Sequence, residues 1–497
     1  MSAPLFLEPR LEPPLVSLLD SRAFLHSLVD ALGSPLNVVL PEGIAGKVAG
    51  FREVYRRHRL GGQIFFAHKA SRSSALVRRL AATDAAIDVA SLGELRHALG
   101  AGFAPDRVLT TGPKDPELLW LAARVGATVN VDARGELEDL AALVRDYRLP
   151  RVPVLLRLAA FEAEGVRVLS RRSRFGEPLG EAGALLDAVV RHREAVELVG
   201  VAYHLDTTGI AEKAVALERC VLVMDEARNR GLRPRAIDIG GGFGVGYLAD
   251  GGQWERYTTE LTNAVLGRRP PLTWRQHGYG LRNEGGTIRG RLALYPGHRP
   301  VAGAGYLDEL LSTPAPTLGR PLASLMLEHL YDLYVEPGRA LVDQCGLSLA
   351  RVVDVRAGED GSPLVRLAMN ASDVSLEEHG VLVDPVVVPR DGPGAAGTGA
   401  ATRAAGGAAD PVGVYLVGNL CLEADLVTRR MVFLPRLPER GDLVGFANTA
   451  GYCMDFHAHE AQMQPTARKV AVSRRGESWQ WSLDEEYWPT RHAGGEV

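Results

Sequence analysis

The chain has 497 residues, 46% hydrophobic and 23% charged, with a formal net charge of −4. That length suits two large domains, and the charge balance leaves no surplus of cations to hold a phosphate backbone, which excludes nucleic acid as a main partner. No apolar run reaches the roughly 20 residues needed to cross a bilayer, and the first 30 residues lack a signal-like apolar stretch.

A soluble cytoplasmic protein is expected. The cysteines Cys220, Cys345, Cys421 and Cys453 form no CxxC pair, against a zinc site or a disulfide scaffold, and no metal is expected. Lysine occurs only at Lys47, Lys69, Lys114, Lys213 and Lys469, so chemistry needing an amine has few candidates.

In chain order, segment 1–44 precedes the regular pattern and is expected to pack with the β-rich part that comes later. Strands are predicted at 63–67, 87–89, 108–110, 128–131, 153–157, 198–204, 236–239 and 333–336. Helical periods fall between them at 74–81, 92–99, 117–124, 135–147 and 213–230. Regular alternation implies parallel strands joined by crossover helices. Eight of them predict a closed (β/α)8 TIM barrel over 45–340, with a doubly wound sheet as competitor. The span of about 248–326 is too long for a crossover and reads as an insertion near the barrel mouth. Beyond residue 340 the pattern turns β-rich, predicting an antiparallel β domain over 341–497 interrupted by a flexible Gly/Ala-rich loop at 391–410.

Polar residues gather at the predicted strand ends, where a barrel collects its reactive groups. Lys69 follows the first strand. An amine there is expected to be partly desolvated and nucleophilic toward an aldehyde, though a lysine that merely reaches the surface is the ordinary alternative. Gly240, Gly241 and Gly242 follow the seventh strand. Consecutive glycines let backbone N–H groups approach an anion, while a plain turn would look the same, and the spacing is not that of a dinucleotide fingerprint. Glu336 ends the eighth strand with Arg339 just after it, able to meet a ring nitrogen and a phosphate or simply to form a surface ion pair. Together these groups describe an aldehyde, a phosphate and a protonatable ring nitrogen, which are the parts of pyridoxal 5′-phosphate.

The motifs Lys69-Ala70, His204-Leu205-Asp206-Thr207, Gly240-Gly241-Gly242-Phe243 and Glu336-Pro337-Gly338-Arg339 occur in that order. In this the sequence resembles the fold type III pyridoxal-phosphate decarboxylases, the diaminopimelate and ornithine decarboxylase family, whose fold is an alanine racemase-like barrel followed by a β domain. The resemblance implies that Lys69 is the Schiff-base lysine, that His204 stacks on the pyridine face, and that Glu336 keeps the ring nitrogen protonated. It implies a phosphate site of Thr207, Gly240, Gly241, Gly242 and Arg339, reached also by Tyr452 of Asn448-Thr449-Ala450-Gly451-Tyr452. Asp88 and Glu94 match a segment that supports the cofactor lysine and histidine. Gly418-Asn419-Leu420-Cys421 resembles the element that enters the site from a partner subunit, so a homodimer with shared active sites is implied, with Cys421 protonating Cα. Arg174 would pair with Asp425 across that interface.

Three departures bear on the substrate, which is expected to be a small molecule of the amino-acid type. Leu422 stands where an acid usually follows the cysteine, with Glu423 one place later, and on an extended segment that turns the carboxylate to the other face. Asp206 replaces a common glycine, and Ser71 a common asparagine. The expectation is decarboxylation of an amino acid or amino-acid conjugate through an external aldimine and a quinonoid, in specialised biosynthesis. A racemase on the same architecture and a catalytically silent regulatory homologue are the alternatives.

Overall fold

The computed structural model describes residues 4–161, 173–390, 411–476 and 478–489. The loop expected at 391–410 lies outside them. The chain divides into two compact units: Met1–Gly43, Val245–Pro300 and Val342–Tyr487 form one, and Ile44–Gly244, Val301–Leu341 and Trp488–Val497 the other.

The second unit is the barrel. Its strands are β1 (Gly62–Ala67), β2 (Ala86–Val89), β3 (Val108–Thr110), β4 (Thr128–Val131), β5 (Val152–Ala159), β6 (Val196–Tyr203), β7 (Ala236–Asp238) and β8 (Asp332–Val335). All pair in parallel, and β8 closes the ring on β1 with Leu333 opposite Gly62. β2 and β3 are buried along their whole length, as strands covered on both faces must be. Phe65, Ala86, Leu109, Leu155, Val199, Ala202, Ala236 and Tyr334 form one buried cluster, so side chains fill this unit rather than leaving a pore.

Local sequence sets the crossover helices. Ser73 Oγ accepts the Leu76 N–H at 3.2 Å and starts helix Ser74–Ala81, while Ser91 does the same for Glu94 in helix Leu92–Gly100. Helix Pro116–Val125 begins with Asp115 as its cap and proline in its first turn, and ends on left-handed Gly126.

The other unit is built on strands Leu36–Val39, Gly346–Ala357, Pro363–Leu367, Val386–Val388, Val412–Val417, Val432–Leu434, Leu443–Ala447, Arg468–Arg475 and Ser478–Leu483. Pairing is antiparallel except that Leu36–Val39 runs parallel to Arg468–Arg475, and Pro363–Leu367 to Val412–Val417. Leu36–Val39 lies between Gly346–Ala357 and Arg468–Arg475, so the N-terminal segment is an inner strand of this sheet. Its core joins Leu15, Leu18, Leu25 and Leu28 of the first two helices to Leu347, Leu349, Leu443 and Val470.

The span expected as one insertion at 248–326 is divided. Val245–Pro300 belongs with the β-rich unit, whereas helices Gly303–Ser312 and Leu322–Glu328 return to the barrel unit and pack on helix Ile210–Asn229. The apolar period of these two helices, with Leu307, Leu310, Leu322 and Leu325 buried, marks them as barrel crossovers.

Candidate active site

The C-terminal ends of β1, β2, β6, β7 and β8 deliver the polar residues singled out above. Lys69 lies in the single 3-10 turn His68–Ala70 directly after β1, and its side chain is exposed, not partly buried as the strand-end position suggested. Asp88, in β2, is buried. Its Oδ1 has no hydrogen-bond partner among the described residues. Burial, then the Glu336 charge, pushes the Asp88 carboxyl well above its ordinary value, with Lys69 opposing.

His204 follows β6, and its Nδ1 is 3.7 Å from Glu336 Oε2. The Gly241 N–H donates to the same nitrogen at 3.3 Å. Enclosure pulls His204 below its usual value although Glu336 raises it. Burial alone would push the Glu336 carboxyl up. The hydrogen bond and charge of His204, with Lys69 and Arg157, outweigh that and hold it below the ordinary carboxyl value. Asp238 ends β7 fully buried, its Oδ1 accepting the Gly240 N–H at 2.8 Å and its Oδ2 without a partner. Burial and the Glu336 charge push it well up. Within one cluster the Glu336 carboxyl is thus pulled down while those of Asp88 and Asp238 are pushed up.

The glycine turn tolerates no side chain. Gly240 and Gly242 have φ of +65° and +86°. A Cβ on Gly240 would lie 2.6 Å from the Tyr203 carbonyl, and one on Gly241 2.8 Å from that of Glu336. One on Gly242 would meet the Thr207 carbonyl and Lys213 Nζ, both at 3.0 Å, so the turn packs against the loop leading into helix Ile210–Asn229. Thr207 Oγ1 accepts the Gly209 N–H at 2.9 Å in that loop. Asp206, which stands where a glycine is common, is exposed. Arg339 is half-buried in a 3-10 turn after Gly338.

Glu94 supports the first strand end through His68. Its Oε2 accepts the Ala90 N–H at 2.6 Å and its Oε1 is 3.3 Å from His68 Nδ1. His68 Nε2 is 2.7 Å from His97 Nδ1, and His97 Nε2 is 3.0 Å from Ser74 Oγ. This relay holds the residue preceding Lys69 in one orientation.

Sequence reasoning missed Asp238, Arg157, His68, His97 and Lys213. Asp238 and Arg157 lie toward the ends of their strands, the positional signal that found Glu336. Nothing in the pattern marks His97 or Lys213, which reach the cluster from helices.

Cys421 and Tyr452 lie in the β-rich unit. Cys421 is exposed on a turn where its N–H donates to Gln462 Oε1 at 2.9 Å. Leu422 beside it is 57% exposed. Tyr452, at φ +69°, packs against His379 and Phe456 with centroids 5.7 and 5.9 Å away. Asp425, expected to face Arg174 of a second chain, is buried, and its carboxylate accepts the N–H groups of Ala371 and Leu420, both at 2.8 Å. It closes its own turn, and within the same chain Arg174 lies over the Phe175 ring at 4.6 Å.

Residues 44–273 match the family model described as pyridoxal-dependent decarboxylase, pyridoxal binding domain. The chain is 30% identical over 450 residues to the uncharacterized protein y4yA of Sinorhizobium fredii, covering 88% of each. It is 28% identical over 454 residues to a diaminopimelate decarboxylase of Actinosynnema pretiosum, covering 90% of this chain and 85% of that one. A diaminopimelate decarboxylase from M. jannaschi has the same fold, with TM-score 0.69 at 18% identity over 92% of this chain and 91% of that one. A lysine/ornithine decarboxylase from Vibrio vulnificus, complexed with putrescine, gives TM-score 0.64 at 18% identity over 94% of this chain and the whole of that one.

Proposed function

The chain belongs to the fold type III pyridoxal-phosphate-dependent decarboxylases, and from that premise we propose that its barrel site removes the carboxylate from Cα of an amino acid or amino-acid conjugate. The cofactor is pyridoxal 5′-phosphate, and the barrel residues fit it. The glycine turn is too close-packed for a Cβ, as a cradle whose backbone N–H groups must approach an anion requires, and Asp88 Oδ1 and Asp238 Oδ2 are buried polar atoms lacking partners among the described residues. The observation that carries the reading is the Glu336 carboxylate 3.7 Å from His204 Nδ1 at the ends of β8 and β6, with the glycine turn that follows β7 between them.

When bound, the cofactor supplies an electron sink for the pair released as a Cα bond breaks. Lys69 would hold its aldehyde group through the amine. Glu336, whose carboxyl is held below its ordinary value, would hold a proton at the ring nitrogen, while the raised carboxyls of Asp88 and Asp238 oppose further negative charge beside it. His204 would offer its ring face. Gly240, Gly241, Gly242, Thr207 and Arg339 would bind the phosphate. Cys421 of a second copy gives its thiol proton to Cα, which makes the working unit a homodimer.

The substrate reading rests on the residues after Cys421. Leu422 is apolar and exposed, and Glu423 is displaced from its position, 85% exposed and 3.6 Å from Arg275. Neither favours recognition of a distal ammonium. The proposed substrate therefore carries a neutral or conjugated distal group, as in specialised biosynthesis. Carbon dioxide release by the pyridoxal-phosphate-loaded protein, compared across diaminopimelate, ornithine and N-acylated amino acids, tests this. Fastest turnover of ornithine or diaminopimelate would reject the substrate class, and Cα inversion without gas would favour racemization.

A further inference from the structure

Two lysines of the barrel unit are buried, and they are satisfied very differently. Lys114 Nζ donates to the carbonyls of Gly112 and Asn130, both at 2.6 Å, and to Glu136 Oε1 at 2.8 Å, so its charge is paired within the chain. Lys213, fully buried in the first turn of helix Ile210–Asn229, has one hydrogen-bond acceptor among the described residues, the Gly241 carbonyl. Otherwise its amine faces the rings of Phe243 and Tyr306, at 5.1 and 5.3 Å from their centroids. Aromatic faces attract a cation without neutralising it. An amine has three donors, and burying a charge unpaired is costly. Burial without a carboxylate lowers this amine to about 7.

What Lys213 holds is one end of the Gly241–Gly242 peptide. In a trans peptide the C=O and the following N–H point in opposite directions, so anchoring the Gly241 carbonyl on the buried amine turns the Gly242 N–H away from it. We propose that Lys213 is a positioning residue for the cofactor phosphate, fixing the Gly242 N–H outward and supplying from beneath the glycine turn a positive charge that the phosphate balances. This rests on the phosphate assignment of the glycine turn. The Lys213 amine and the Thr207 carbonyl each lie 3.0 Å from where a Cβ on Gly242 would stand, so the lysine is packed directly against the turn.

The test compares dissociation constants for pyridoxal 5′-phosphate and for pyridoxal, which lacks the phosphate, in the wild-type protein and in Lys213→Met. The expected result is about tenfold weaker binding of pyridoxal 5′-phosphate in the variant, with pyridoxal changed less than about twofold. Lys213→Gln, which keeps a neutral donor, should show the same selective loss and serves if the methionine variant folds poorly. Equal weakening of both ligands, or unchanged affinity for both, overturns the role of Lys213 alone. Wild-type protein that binds the two ligands alike overturns the phosphate assignment of the turn, and the role of Lys213 with it.

Discussion

His204 Nδ1 stands 3.7 Å from Glu336 Oε2 while accepting the Gly241 N–H at 3.3 Å, so one imidazole ties together the ends of β6, β7 and β8. The Glu336 carboxyl, held below its ordinary value, is the group in this arrangement suited to hold a proton on a ring nitrogen. Glu336→Gln keeps the shape and removes the charge. Carbon dioxide release should fall by about a hundredfold, the scale for losing one preorganised electrostatic group, with the cofactor still bound by absorbance. Undiminished turnover would deny Glu336 its role.

The buried acids predict a pH dependence of stability. The folded-state carboxyl of Asp238 is pushed well above its unfolded value, so the folded protein holds the proton more tightly. Stability from this group is fully present below the unfolded value of about 3.9 and is lost as pH rises toward the folded value. Asp238→Asn, which can still accept the Gly240 N–H, removes that loss. Melting temperatures across this interval should therefore favour the variant increasingly as pH rises. A constant difference between the two proteins would contradict the assignment of a protonated Asp238.

Gly240 and Gly112 have nearly the same positive φ, +65° and +67°, yet only Gly240 is crowded. Nothing lies within 4 Å of a Cβ on Gly112, whereas one on Gly240 meets the Tyr203 carbonyl at 2.6 Å. Alanine at Gly112 should cost about 1 kcal/mol for the left-handed backbone. At Gly240 the cost should reach about 3 kcal/mol, because the backbone must also move. Chemical denaturation of the two variants measures the difference, and equal costs would show that the turn is not tightly packed.

Lys69 supplies a further expectation about the cofactor. The purified protein should be yellow, with an absorbance that borohydride abolishes. Lys69→Ala should lack that band, and a normal band in the variant would require a different lysine.

Cys421 is exposed on its turn, as a proton donor to an incoming substrate would need to be. In Cys421→Ala, correctly protonated product should form about a hundredfold more slowly, within the range for losing a general acid. Product formed at the normal rate with normal configuration at Cα would remove Cys421 from the chemistry.

The eight barrel strands and their order were legible in the residue pattern because each is a short apolar run set off by amphipathic helices. The residues at their ends were legible because parallel strands carry every C-terminus to one side of the ring. Thus Lys69, Asp88, His204 and Glu336 could be named without coordinates. The division of residues 248–326 could not, since Leu307 and Leu322 declare only that they are buried, not which unit buries them.

Other properties arise only when distant segments meet. Asp425 is acidic in the pattern like any surface partner, but the folded turn spends its carboxylate on the N–H groups of Ala371 and Leu420. Protonation follows the same logic, because the carboxyls of Asp88, Asp238 and Glu336 are chemically alike along the chain and diverge once one gains His204 and the others gain only burial and its charge. Lys213 is one more helical residue until folding sets its amine under Gly241. Residue type and order dictate which groups arrive at the rim of the ring; desolvation and mutual distance, which exist only in the packed molecule, dictate the charge each carries there.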